Sequence, residues 1–214
     1  MSKTPLTYYP HKEEVINVIT HLIGLLLSIA GLALLVTFAS LYGNVWHIVS
    51  FSIFGSSMVV LYLASTMYHY ASGRKWRKRL NIMDHAAIYI LIAGTYTPYC
   101  LAVLNGVMGW ALFGITWGLA VAGVALKLFF TGRYNRLSTI SYVLMGWVAV
   151  IAAKPLVENL NSEALFYLLL GGLFYTIGAV LFSIKKLPYN HAIFHVFVLF
   201  GTISHFVSLF FYVL

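Results

Sequence analysis

Apolar runs of bilayer-crossing length follow one another along this chain, separated by short polar segments. A membrane-spanning helix needs about 20 mostly apolar residues. Seven stretches meet that requirement: 17–40, 46–70, 83–104, 108–128, 137–157, 163–184 and 190–213. The pattern predicts an all-α polytopic membrane domain of seven helices over 17–214, after a polar tail at 1–16. No segment between the runs is long enough to build a second core. There is no internal repeat and no low-complexity segment. The first apolar run is too long for a signal-peptide core and has no small-residue cleavage site after it, so it reads as the first span.

Composition agrees with the pattern. Of 214 residues, 61% are hydrophobic and 8% are charged, a balance that suits lipid rather than water as the surrounding solvent. The single cysteine, Cys100, excludes an intramolecular disulfide and a thiolate metal site. A net charge of +8 would suit nucleic acid if it were clustered on a soluble face, but here it is divided among short connections. The tail holds Lys3 and Lys12. The 2–3 connection holds Arg74, Lys75, Arg77, Lys78 and Arg79. Lys127, Arg133 and Arg136 fall between spans 4 and 5, and Lys185 and Lys186 between 6 and 7. The opposite side has Lys154 with Glu158 and Glu163 nearby. The positive-inside rule then predicts a cytoplasmic N-terminus and an external C-terminus. The basic stretch Gly73–Arg79 reads as topology plus attraction to anionic head groups. Tyr8, Tyr9, Trp46, Trp76 and Trp110 read as interfacial anchors. Pro98 is expected to kink span 3, and Asn190 to cap span 7.

The candidate chemistry sits at helix ends. His69 closes span 2, Asp84 opens span 3, and His191 and His195 open span 7. Loop charge alone places all four near the cytoplasmic face. Ionisable groups in apolar helices are expensive, so their convergence points to function. His191 and His195 are four apart and project from one helix face, and His69 would face them from span 2. Three imidazoles with an open position are a catalytic zinc arrangement. Ser65, four before His69, points to the same place one turn deeper. Asp84 is expected to orient a ligand imidazole or to hold a metal-bound water. The competing reading is a set of hydrogen bonds between helices without metal. Glu14, Asn17, Thr20 and His21 line one side of span 1, as a further wall of the site or as a packing contact. His85 is expected to be interfacial. His205 is too deep to share the metal, and it, His47 and His11 are assigned no chemistry.

Ser65-xxx-His69, Asp84 and His191-xxx-His195 resemble the metal-site signature of the progestin and adipoQ receptor family, which includes adiponectin receptors and bacterial hemolysin III proteins. Alkaline ceramidases share a similar set. The stretch from Asp84 to Pro98 and Glu14-xx-Asn17-xx-Thr20-His21 are similar to the hemolysin III branch. The resemblance covers the chain from about residue 13 onward, with no departure at a motif position. It implies seven helices, zinc on His69, His191 and His195, Asp84 near the metal-bound water, and Ser65 close by. The short tails argue against hormone sensing, and the resemblance implies a multi-pass protein of the bacterial inner membrane.

The resulting expectation is a zinc-dependent membrane hydrolase of a lipid amide or ester. Asp84 would serve as general base and Ser65 as oxyanion donor. Its partners would be membrane lipids, including a substrate with long acyl chains, and not nucleic acid. Three alternatives stand beside it: a membrane-homeostasis regulator or receptor-like protein with structural zinc, a cytolysin, and a transporter.

Overall fold

A computed structural model describes residues 6–131 and 134–214. Lys3 and Arg133, two of the orienting cations, lie outside them. The described residues form helices and no strand. α1 (His11–Tyr42) and α2 (Val45–Tyr70) lead to α3 (Arg74–Pro98), which a π-helical turn extends over Tyr99–Leu104. α4 (Gly106–Phe130) follows. α5 (Asn135–Gly146), a 3₁₀ segment (Val148–Ala152) and α6 (Ala153–Asn159) then make one interrupted crossing. α7 (Ser162–Ser183) and α8 (Asn190–Tyr212) complete the bundle. Among the described residues seven such units are long and apolar enough to cross a membrane, as the hydrophobic pattern predicts. Successive spans are antiparallel, so the starts of α1, α3, α5 and α8 gather with the ends of α2, α4 and α7. This is the basic end of the bundle.

α1 is apolar outside and mostly small or polar inside. On α1 the buried face is Asn17, His21, Gly24, Ser28, Gly31, Leu35 and Ala39, the alternating three- and four-residue spacing of one helical stripe. Leu22, Leu26, Leu27 and Ile29 on the other faces are exposed. Lipid tails are as apolar as leucine, so helices in lipid associate through close packing and hydrogen bonds rather than by burying apolar surface. Gly24 shows the first device: the Tyr62 ring occupies the space that a Cβ would need. The hydroxyl of the same tyrosine shows the second, donating to Thr202 Oγ1 at 2.8 Å. Tyr99 donates to Ser208 Oγ at 2.8 Å, and Trp117 Nε1 to Thr97 Oγ1 at 3.0 Å. Links of this kind contribute about 0.6–2 kcal/mol each in a bilayer.

Four local expectations change. α3 begins at Arg74, so Arg74–Arg79 are its first turns rather than a loop, and Asp84 lies well inside the helix. Arg77 is buried and pairs with Glu14, which lets a charged segment remain helical. Lys127, expected between spans, is buried in the last turn of α4. Span 5 is broken near Trp147. There the Tyr96 hydroxyl donates to the Gly146 carbonyl at 2.6 Å and accepts from the Ala149 N–H at 2.8 Å, which pairs backbone groups that the break leaves free. Asn190 does not cap α8. Its amide donates to the Phe182 carbonyl at 2.8 Å at the end of α7, while Tyr189 turns the chain at φ 55°. At Pro98 the missing N–H weakens the helical ladder, and the turn that follows is π-helical, with Asn105 N bonding Cys100 O at 3.1 Å.

Candidate metal centre

His69 comes from the last turn of α2, and His191 and His195 from the first two turns of α8. All three are buried. His191 Nε2 lies 3.0 Å from His69 Nε2 and 3.0 Å from His195 Nε2. Nitrogens on a tetrahedral zinc at 2.0–2.1 Å are about 3.3–3.4 Å apart, so these two spacings are within a few tenths of an ångström of that value, and the three ligand atoms all lie within 4.8 Å of one another. Among the described residues these three form the group of side chains able to hold a metal ion.

The outer ring atoms explain why the Nε2 atoms face inward. His69 Nδ1 is 2.6 Å from Glu14 Oε2. A carboxylate only accepts, so Nδ1 carries the proton and Nε2 presents a lone pair. His195 Nδ1 lies 3.4 Å from Thr20 Oγ1. That hydroxyl donates to the Ile16 carbonyl at 2.8 Å, which leaves it an acceptor for an Nδ1 proton on His195. Two lone pairs therefore converge on the third imidazole. One proton on His191 Nε2 serves one of the two 3.0 Å contacts well, whereas a cation could take a lone pair from all three imidazoles. The donor set is all-imidazole and thiolate-free, which suits zinc among several divalent metals.

A second set of contacts holds this arrangement. The Arg77 guanidinium pairs with Glu14 and donates to the carbonyls of Ala71 at 3.1 Å and Thr7 at 3.2 Å. It also lies over the ring of Tyr8 at 4.5 Å. Tyr9, read from the sequence as an interfacial anchor, instead stacks on His191 with centroids 4.5 Å apart and planes 9° from parallel. Its backbone N–H donates to Glu14 Oε1 at 3.2 Å. Burial raises the Tyr9 phenol above its ordinary pKa, so it stays neutral. On the other side His21 stacks on His195 at 3.5 Å and 11°, which makes it a wall of the site rather than a remote packing contact. Arg77 and Tyr9 were missed as site residues. A signal for Arg77 exists: Arg77, Asn81 and Asp84 are spaced four and three apart on one face of α3, and all three are buried.

Asp84 is buried beside the centre and is not one of the three clustered ligands. It lies in the field of the Lys127 ammonium. Ser65 is fully buried and faces Asp84 without a well-formed hydrogen bond. His85, expected at the interface, is only partly exposed and lines the same internal cavity. Its carbonyl accepts from Tyr142 Oη at 2.9 Å. His47 is structural: it closes a capping box with Asn44 at the start of α2. His205 stands apart from the cluster, about 15 Å beyond His195 for ten residues of helix.

The centre opens into a cavity of about 660 Å³ that continues between the helices past Ile92, Tyr99 and Val198 to His205. Most of its wall is apolar. Asp84, Asn81, His21, His191 and His195 line its basic end, and His205 lines the far part.

A seven-helix membrane bundle with a buried three-histidine cluster, able to hold a metal at one end of an apolar cavity, defines the class of this protein. Residues 9–206 match the family described as Haemolysin-III related, and the chain belongs to that family. It is 49% identical over 201 residues to the "Hemolysin-3 homolog" of Bacillus subtilis (strain 168), covering 94% of each chain. It is 48% identical over 203 residues to the "Hemolysin-3" of Bacillus cereus, covering 95% of this chain and 93% of that one. A more distant relative is the human "Monocyte to macrophage differentiation factor", 28% identical over 207 residues, covering 92% and 83%. No solved structure matches the chain. The seven spans and these bacterial relatives make it a multi-pass bacterial membrane protein.

Proposed function

We propose that His69, His191 and His195 hold a zinc ion and that this centre hydrolyses an amide or ester bond of a membrane lipid. The observation that carries the reading is the convergence of three Nε2 atoms, 3.0 Å apart in each measured pair, at the head of an apolar cavity. Zinc in such a site supplies a Lewis acid and water reactive near neutral pH. The protein's own residues would do the rest. The cavity would take the acyl chain and exclude bulk water. Ser65 would donate a hydrogen bond to the carbonyl oxygen as negative charge develops. Asp84 would accept the proton of the attacking water and return it to the leaving amine or alcohol as the C–N or C–O bond breaks. With the basic end in the cytoplasm, as the positive-inside rule requires, the reaction would occur near the inner leaflet.

The deciding test has two stages. Elemental mass spectrometry on detergent-purified protein should find about one zinc per chain, lost in the His191→Ala/His195→Ala double variant. The zinc-loaded protein should then release a fatty acid from at least one member of a panel of lipid amides and esters. No metal in folded wild type, or no turnover across the panel, sinks the reading.

A structural clamp is the second reading. One observation favours it: the cluster joins α2 to α8, and Glu14 and Thr20 tie α1 to both. Zinc would then stabilise the bundle of a regulator of membrane state. A cytolytic role, which the relatives' names suggest, predicts lysis of erythrocytes by low concentrations of purified protein. The apolar perimeter suits a resident of one membrane better.

A further inference from the structure

The far end of the cavity carries its own polar group, and the zinc-centre reading does not use it. His205 sits on α8 in line with His191, His195, Val198 and Thr202, spaced four, three, four and three apart, which is one helical stripe. It is 4% exposed and lines the cavity. Its Nδ1 is buried and meets no hydrogen-bonding group of the protein. Its ring edge lies over Gly171 of α7, where any Cβ would collide with Nε2, so this glycine makes the room for the imidazole. The Tyr175 ring packs against it at 5.5 Å, and the Tyr175 hydroxyl is within 3.0 Å of Thr202 Oγ1. An unsatisfied polar atom in an apolar setting is costly, and an ionisable side chain inside a membrane helix marks function by default.

We propose that His205, with Tyr175 beside it, is a second binding subsite that takes an uncharged hydroxyl on the chain of the bound lipid. The chemistry narrows the choice. A neutral imidazole offers one donor and one acceptor, which a hydroxyl complements. A charged group there would need a counter-charge. Lys185 is the one Lys or Arg among the described residues lining the cavity, and it lies just before α8, at the basic end. The two polar poles are about 15 Å apart along α8, and most of the cavity wall is apolar. The ligand is thus a long-chain lipid whose reactive or carboxyl end lies at the histidine cluster and whose hydroxyl lies partway along the chain. This deepens the lipid reading above and rests on its cavity, not on its zinc or its turnover.

The test compares stearate with 12-hydroxystearate, whose carboxyl and hydroxyl are a comparable distance apart in an extended chain. Binding of each to the purified full chain is measured by native mass spectrometry or titration calorimetry. Wild type should prefer the hydroxylated acid by about threefold to tenfold, the effect of one net hydrogen bond. His205→Phe, which keeps the ring volume, should erase the preference while stearate still binds. Tyr175→Phe, which leaves the ring packing and removes one hydroxyl, should reduce it less. Equal affinities in wild type, or a preference that survives in His205→Phe, overturns the subsite. Failure of both acids to bind overturns it together with the lipid cavity. Loss of turnover with the preference intact would count against the hydrolase alone.

Discussion

Glu14 Oε2 on α1 lies 2.6 Å from His69 Nδ1 on α2. This contact decides which nitrogen of His69 faces the centre. Partners that hold the outer nitrogen of a ligand histidine orient the ring and raise its basicity, and their loss typically weakens metal affinity 10–100-fold. Glu14→Ala is therefore expected to lower zinc affinity by about that factor, measured by chelator competition on purified protein. Glu14→Gln should lose less, because its amide oxygen still accepts from Nδ1. Unchanged affinity in both variants would mean that Glu14 does not set the ligand.

Arg77 should matter for stability as well as for the centre. It is buried, pairs with Glu14 and holds the 7–9 segment through the Thr7 carbonyl. Removing one partner of a buried ion pair destabilises by about 3–5 kcal/mol. Glu14 is partly accessible, with 14% of its side chain exposed, so Arg77→Ala is expected near the lower end, about 3 kcal/mol. A fall in thermal midpoint in detergent, with reduced zinc occupancy, is the readout. Arg77→Lys should recover the charge but not the fork of donors.

Asp84→Asn separates the two readings of the centre. Asp84 is not among the three clustered ligands, so metal content should stay near wild type. If Asp84 moves the proton, turnover should fall by about 10²–10⁴-fold. Retained turnover would remove Asp84 from the proton path, whereas unchanged function in a protein with no turnover points to the structural clamp.

Tyr9 covers His191 with a nearly parallel ring. A stacked aromatic pair contributes about 0.5–1.5 kcal/mol beyond area burial. Tyr9→Ala should speed stripping of the metal by a chelator by roughly 2–10-fold, whereas Tyr9→Phe should behave as wild type because the stack needs the ring and not the hydroxyl. Equal rates in all three proteins would show that Tyr9 does not guard the centre.

Tyr96 tests the broken fifth span. Its hydroxyl serves both the Gly146 carbonyl and the Ala149 N–H. Tyr96→Phe leaves two backbone groups unpaired in an apolar setting, for an expected loss of about 1–3 kcal/mol. Thermal unfolding in detergent reads this directly, and an unshifted midpoint would mean that the break is satisfied elsewhere.

The sequence alone determined the all-α character, the seven spans and the three histidines that cluster. The reason is the solvent: a bilayer sets the length of each apolar run and requires every backbone group to be paired within its own helix. Helical spacing then brings His191 and His195 to one face, and antiparallel spans bring His69 to the same depth. Contacts between helices were not legible in this way. Arg77 looked like one more orienting cation in a basic stretch, and Tyr9 and His85 like interfacial groups. Their roles depend on which helix faces they meet, and that is settled by close packing through small residues. The tertiary structure decided the His69 tautomer through Glu14, the cover that Tyr9 places over His191, and the cavity that runs from the cluster to His205.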